Sequence, residues 1–216
     1  MKKVLIIGAN GQVGKIIVQK MKDAADFIPV ALFRKEEQKG FFEGLDVSYK
    51  IVNLEEEVDT LANAMAGMDA VVFSAGSGGK TGLDKTLTVD LDGAVKSMEA
   101  AVKAGVNRFV IISALHADNR GLWDETGIKP YYVAKHYADH ILKSSGLDYT
   151  ILRPGQLLNK EGTKKITVTD PSSKKGVARE DVANTVLAVL NDDNAIGKTI
   201  AFNEGDVSIE EVVRET

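Results

Sequence analysis

Tyr131 and Lys135 stand four residues apart in PYYVAK, so a helix would put both on one face. Reduction of a carbonyl needs such a pairing. As hydride reaches the carbon, negative charge grows on oxygen and a donor must meet it. A free phenol, with a pKa of about 10, is poorly matched to neutral pH. A nearby ammonium favours the phenolate and is expected to lower that value. The spacing alone is common by chance, and a solvated helix face produces it too.

A second set of residues is suited to holding phosphate. IIGANGQVGKII, residues 6–17, places Gly8, Gly11 and Gly14 between an apolar run and a run with helical spacing. Gly8 would end the strand in a tight turn. Gly11 would let backbone amides approach a pyrophosphate. Gly14 would let the helix lie close to the strand. The amides at the helix start and the helix dipole both favour negative charge there. Asn10 and Gln12 are expected on the ligand side and Val13 toward the core.

These residues need elements to carry them. Strand-like runs fall at 3–7, 27–33, 49–52, 70–74, 108–113, 149–152, 165–168 and 198–202. VLII, AVVF and FVII are continuously apolar, as in strands covered on both faces of a parallel sheet. Helical patterns at 11–24, 55–66, 90–104, 130–145 and 179–191 lie between them. The βαβα repetition implies a doubly wound α/β fold with a parallel sheet. The glycine turn then sits between the first strand and first helix of a βαβ unit, which makes it far more specific than three glycines alone. One domain over residues 1–216 is expected, with 153–178 and 203–216 forming a small substrate-side region. The irregular stretches at 76–88 and 153–178 are long enough to carry function.

Composition narrows the function. The chain has 216 residues, 44% of them hydrophobic, enough for one well-buried core. A net charge of -4 gives no global basic footprint for nucleic acid. The Lys164-Lys165 and Lys174-Lys175 pairs read as solvated surface. With no cysteine and three histidines, neither a disulfide framework nor a zinc cluster is expected. His136 and His140 are an i, i+4 pair, but no third ligand is placed, so no metal site is expected. No apolar run approaches the ~18 residues of a membrane span. Met1–Ile7 reads as a first strand rather than a signal peptide. These features lead to an expectation of a cytoplasmic protein acting on a small molecule, without membrane or nucleic-acid partner. Its oligomeric state stays open.

GANGQVG, FSAGS at 73–77, GVNRFVIIS at 105–113, YYVAK at 131–135, SGLDYTILRPG at 145–155 and REDVA at 179–183 occur in that order. Together they resemble the atypical short-chain dehydrogenase/reductases, over nearly the whole chain. The resemblance is greatest to the NAD(P)H-binding branch with the flavin/biliverdin reductases and NmrA-like regulators. It implies a Rossmann fold with a minimal C-terminal extension. It also implies that Ser113 bonds the substrate oxygen, that Tyr131 is the proton donor, and that Lys135 serves both the tyrosine and the cofactor ribose. Asn53-Leu54 stands where the family often has Asp-Leu against the adenine. Ala75-Gly76 would let backbone pass the ribose. Asp90 stands where the family's catalytic asparagine is expected.

The second strand names the dinucleotide. An NAD-selective site places Asp or Glu at its end, about 20 residues past the glycines. Here IPVALFRKEE ends in Arg34, 20 residues after Gly14. A guanidinium there holds a 2′-phosphate, so NADP(H) is expected over NAD(H). Ordinary surface pairing of Arg34 and Lys35 with Glu36 and Glu37 is the competing reading.

Three functions fit. The first is an NADP(H)-dependent oxidoreductase acting on a small carbonyl, quinone or flavin-like acceptor. The second is a non-catalytic NADP(H)-binding redox sensor. The third is an NAD-dependent epimerase or dehydratase, which the 61 residues at 156–216 leave little chain to house. His116 ranks behind Tyr131 as a proton donor. Trp123 is either a lid or a loop anchor.

Overall fold

The computed structural model describes residues 1–78, 81–168 and 176–216. Lys174-Lys175 and parts of the 76–88 and 153–178 stretches, residues 79–80 and 169–175, lie outside them. The chain begins β1 (Lys2–Ile7), α1 (Gln12–Asp23), β2 (Phe27–Phe33), α2 (Gly40–Gly44), β3 (Ser48–Ile51), α3 (Val58–Met65) and β4 (Ala70–Phe73). A short α4 (Leu83–Lys85) runs through a π-helical turn, Thr86–Leu91, into α5 (Asp92–Ala104). There follow β5 (Arg108–Ile112), a 3-10 segment at Arg120–Thr126, α6 (Lys129–Lys143), β6 (Asp148–Pro154), β7 (Gln156–Leu158), β8 (Lys165–Val168) and β9 (Gly176–Ala178). The chain ends with α7 (Arg179–Asn191), β10 (Lys198–Glu204), β11 (Val207–Ser208) and α8 (Ile209–Arg214).

The main sheet has the order β11-β8-β10-β6-β5-β4-β1-β2-β3. From β3 to β10 every neighbour pair is parallel. This is the doubly wound Rossmann arrangement expected from the alternation, with its order reversing between β1 and β4. The far edge departs from the parallel pattern. β8 lies antiparallel to β10, and β11 antiparallel to β8.

β1 shows why the strands are continuously apolar. Val4 and Ile6 face one layer, with Ile17 and Met21 of α1 and Val186 of α7. Leu5 and Ile7 face the other, with Leu61 of α3, Met98 of α5 and Leu142 of α6. All four β1 side chains are fully buried. Each contributes about 1.5–3 kcal/mol by leaving water. Among the described residues no helix is long and apolar enough to cross a membrane.

Candidate active site

The carboxyl ends of β1, β2 and β4 open into a cleft at the point where the strand order reverses. Gly8, Asn10 and Gly11 line it on one side, with Arg34, Asn53, Leu54, Ala75 and Gly76 around them. The glycine turn is tight for a stated reason. Gly8 has φ +78°, and a Cβ on it would come 2.6 Å from the Ala75 Cα. A Cβ on Gly14 would come 2.4 Å from the Gly8 carbonyl oxygen, so only glycine lets α1 start this close to the turn. Gly11 is the N-cap of α1, which has no side-chain cap and no acid in its first turn. The first-turn N–H groups lack intrahelical acceptors and sit at the positive end of the dipole. Val13 and Gly14 are buried. Gln12 is exposed and faces a neighbouring hollow with Leu158 and Arg179.

Arg34 is exposed at the end of β2 and makes no ion pair among the described residues. Its neighbours are committed elsewhere. Lys35 faces Glu37 at 3.7 Å, and Glu36 holds Lys39 at 2.6 Å. The surface-pairing reading therefore describes Lys35 and Glu36 but leaves Arg34 facing the cleft. The Asn53 side-chain oxygen accepts the Glu55 N–H at 3.2 Å, so one of its two lone pairs is already used. Lys85 also lines the cleft, held by both oxygens of Glu55 at 2.7 and 2.9 Å. Its place in a three-residue helix with no motif hid it in the sequence.

A second cleft lies beyond the ends of β5 and β6. Ser113, His116, Tyr131, Tyr132 and Gln156 line it, among apolar Leu115, Ile128 and Leu157. Lys135 lies buried behind it. Its Nζ is 5.7 Å from the Tyr131 ring centroid, donates to the Ile112 carbonyl at 3.2 Å, and stands 3.9 Å from Asp90 Oδ1. Asp90 in turn accepts the Ser77 N–H of the first cleft at 3.0 Å. Its other oxygen is buried without a hydrogen-bond partner. Asp90 and Lys135 thus bridge the two clefts.

The electrostatics run against one expectation. Tyr131 is pushed well above the ordinary tyrosine range, by burial first and by Asp90 and Asp139 next. Lys135 is not among the causes of the Tyr131 shift: its ammonium lies over the ring, 5.7 Å from the centroid, and burial lowers its own pKa. Tyr131 is held as an undissociated hydrogen-bond donor. Ser113 donates its proton to Asp139 at 2.9 Å, and Arg153 Nε donates to the same oxygen at 2.9 Å. Asp139 has no place in the sequence reading, although a signal exists: Tyr131, Lys135 and Asp139 recur every four residues on one face of α6.

His136 is taken up in structure, its Nδ1 2.9 Å from the Ala117 carbonyl. Trp123 is a buried loop anchor, donating to the His116 carbonyl at 2.9 Å. Among the described residues no cluster of three or more His, Asp or Glu is placed to hold a metal ion.

A switch-point cleft with a glycine turn and an uncapped helix start is the arrangement of a dinucleotide-binding Rossmann protein. Residues 8–193 match the family model described as NAD(P)H-binding, and the chain belongs to that family. It is similar to a Bacillus subtilis protein described as the uncharacterized sugar epimerase YhfK, 48% identical over 213 residues and 99% of each chain. It is also similar to the solved structure of a putative NAD-dependent epimerase/dehydratase from Bacillus halodurans. That match is 38% identical with TM-score 0.92, over 100% of both chains. The oxidoreductase ylbE from Lactococcus lactis is 35% identical with TM-score 0.89, over 99% of this chain and 95% of that one.

Proposed function

We propose that the protein is an NADP(H)-dependent oxidoreductase that transfers hydride to a small carbonyl, quinone or flavin-like acceptor. The observation that carries this reading is the pair of clefts joined through Asp90 and Lys135, one with the glycine turn and uncapped helix start and the other lined by Tyr131. The likeness to the Lactococcus oxidoreductase supports it. When bound, the reduced nicotinamide supplies the hydride.

The chain's own residues do the rest. The Gly8–Gly14 turn and the first turn of α1 take the pyrophosphate. Unpaired Arg34 takes the 2′-phosphate, since no acid stands there to favour a free hydroxyl. Asn53 and Leu54 face the adenine, and Ala75-Gly76 and Lys135 the ribose. Tyr131 donates a hydrogen bond to the acceptor oxygen, where a fixed donor stabilises the developing charge. Ser113 reaches that oxygen only by releasing Asp139, so its first role is to fix α6 against β5. Residues 1–216 act as one domain. Gln156 and Leu157 at the second cleft support an acceptor-side role for the 153–178 region.

The test is NADPH and NADH oxidation with a panel of quinones, flavins and aldehydes, beside calorimetric binding of both nucleotides. Turnover with NADPH preferred is the expected result. Tight binding without turnover would instead mark a regulator, a reading favoured by the commitment of Ser113 to Asp139. The names of the Bacillus proteins favour an epimerase. That activity would convert a sugar nucleotide with no net consumption of NAD(P)H.

A further inference from the structure

His116 is the strained residue of the second cleft. Its φ is +71°, a left-handed conformation uncommon for residues other than glycine, although histidine enters it more often than most. Such a conformation persists only where the surroundings over-determine it. Here they do so from four sides. Trp123 Nε1 donates to the His116 carbonyl at 2.9 Å. His136 Nδ1 meets the Ala117 carbonyl at 2.9 Å. The Arg153 guanidinium pairs with the Asp118 carboxylate. The Leu115 N–H donates to the Pro154 carbonyl at 2.9 Å. The backbone from 115 to 118 is clamped, yet the His116 imidazole is not: its Nδ1 is buried with no hydrogen-bond partner. A buried nitrogen left so is costly, and the His116 side chain is among the residues that line the second cleft.

The cleft also lacks a ready proton. Ser113 directs its hydroxyl hydrogen into the bond with Asp139, and Tyr131 is held undissociated by burial and two carboxylates. Imidazole carries two ring nitrogens, each able to donate or accept a hydrogen bond.

We propose that His116 is a catalytic residue of acceptor reduction, whose imidazole binds the acceptor oxygen and delivers the proton that accompanies hydride. The proposal rests on the oxidoreductase reading. Hydride from the bound nicotinamide forms the new C–H bond, and the carbonyl π pair moves to oxygen. An imidazolium N–H bond breaks as the O–H bond forms. Neutral imidazole then recovers a proton from water at the cleft mouth, while Tyr131 polarises the same oxygen throughout.

His116→Gly removes the imidazole and the left-handed strain together. The thermal midpoint should rise and NADPH affinity by calorimetry should hold. Turnover should fall about 10²-fold, and added imidazole should restore part of it. His116→Asn tolerates the backbone but carries no such proton, so it should be equally slow and gain nothing from imidazole. Wild-type turnover in His116→Gly would overturn the proposal while leaving the oxidoreductase reading intact. So would a lowered midpoint with no imidazole rescue, since His116 would then be structural. If the wild-type protein consumes no NADPH with any acceptor of the panel, the oxidoreductase reading has failed and this proposal fails with it.

Discussion

Arg153 and Asp139 form a buried ion pair, Nε to Oδ2 at 2.9 Å, with side chains only 6% and 2% exposed. Ser113 shares that carboxylate from the end of β5, and Asp118 takes the other side of the guanidinium. One network therefore joins β5, α6, β6 and the loop that carries His116. It is how LRPG at the end of β6 reaches the acceptor cleft without lining it beyond Pro154 and Gly155.

Breaking that pair from one side leaves a charge with too few partners in the interior. Asp139→Asn should destabilise the protein by about 3 kcal/mol, the lower end for a broken buried pair, because Asp118 still holds Arg153. Ser113→Ala removes one hydrogen bond and should cost about 1 kcal/mol. Urea unfolding of both variants checks this. Equal losses would mean that the Asp139 charge carries none of the difference.

The glycines of the turn should separate binding from folding. Gly11 has φ -66° and an added Cβ would lie 3.1 Å from the Gly8 carbonyl oxygen, a tight but adjustable contact. Gly11→Val should fold and lose dinucleotide binding, because the branched side chain fills the pyrophosphate position. Gly14→Val meets the same oxygen at 2.4 Å and should damage the fold itself. Calorimetry with NADP(H) on folded Gly11→Val decides the first part, and normal binding would remove the turn from the site. Circular dichroism of Gly14→Val decides the second.

The fold was legible where elements are long and apolar on both faces. All six parallel strands from β3 to β6, and β10 beyond them, fall within a residue or two of their expected ranges; two-sided burial leaves runs such as VLII in the inner strands, while β3 at the edge has no buried residue. β7 and β9, three residues each, and β11, two residues, are too short to show alternation. Their pairing is set by partners far along the chain. The clefts were legible through Gly8, Gly11, Gly14 and Tyr131. Lys85 and the Asp139–Arg153 pair depend on which loops and helices meet in space. Spacing on α6 gave Lys135 a place beside Tyr131 but not its depth. Burial of the phenol, with Asp90 and Asp139, is what raises its pKa where a lowering by Lys135 was expected.

Arg34 sets the cofactor preference in the proposed reading, and its exposure makes the test clean. Arg34→Ala should leave stability within about 0.5 kcal/mol, as for a surface residue without partners. It should weaken NADPH much more than NADH, because only NADPH carries the 2′-phosphate. A charge-assisted bond contributes about 1.5–3 kcal/mol, so the affinity ratio should move by about tenfold or more. Calorimetric titration with both nucleotides checks it. Equal loss for both would assign Arg34 to the site's general charge and not to the phosphate.

Tyr131 and Lys135 can be told apart by what each variant keeps. Tyr131→Phe preserves the ring against Lys135 and removes only the hydroxyl. NADPH affinity should stay near wild type, while carbonyl turnover falls by about 10²–10³, the cost of deleting one fixed donor. Lys135→Met should lose both turnover and cofactor affinity, since the lysine is assigned to the ribose as well. A flavin acceptor, which needs no donor at a carbonyl oxygen, should be much less sensitive to Tyr131→Phe. The pH behaviour follows from the direction of the tyrosine shift. Burial, Asp90 and Asp139 all disfavour the phenolate, so the hydroxyl stays protonated past the ordinary value of 10.0. The ultraviolet titration of wild type minus Tyr131→Phe should therefore show no phenolate step below pH ~10. Had the Lys135 charge prevailed, a step would fall between about pH 7 and 9. Finding that step would return Tyr131 to the role of proton donor and take the need for His116 away.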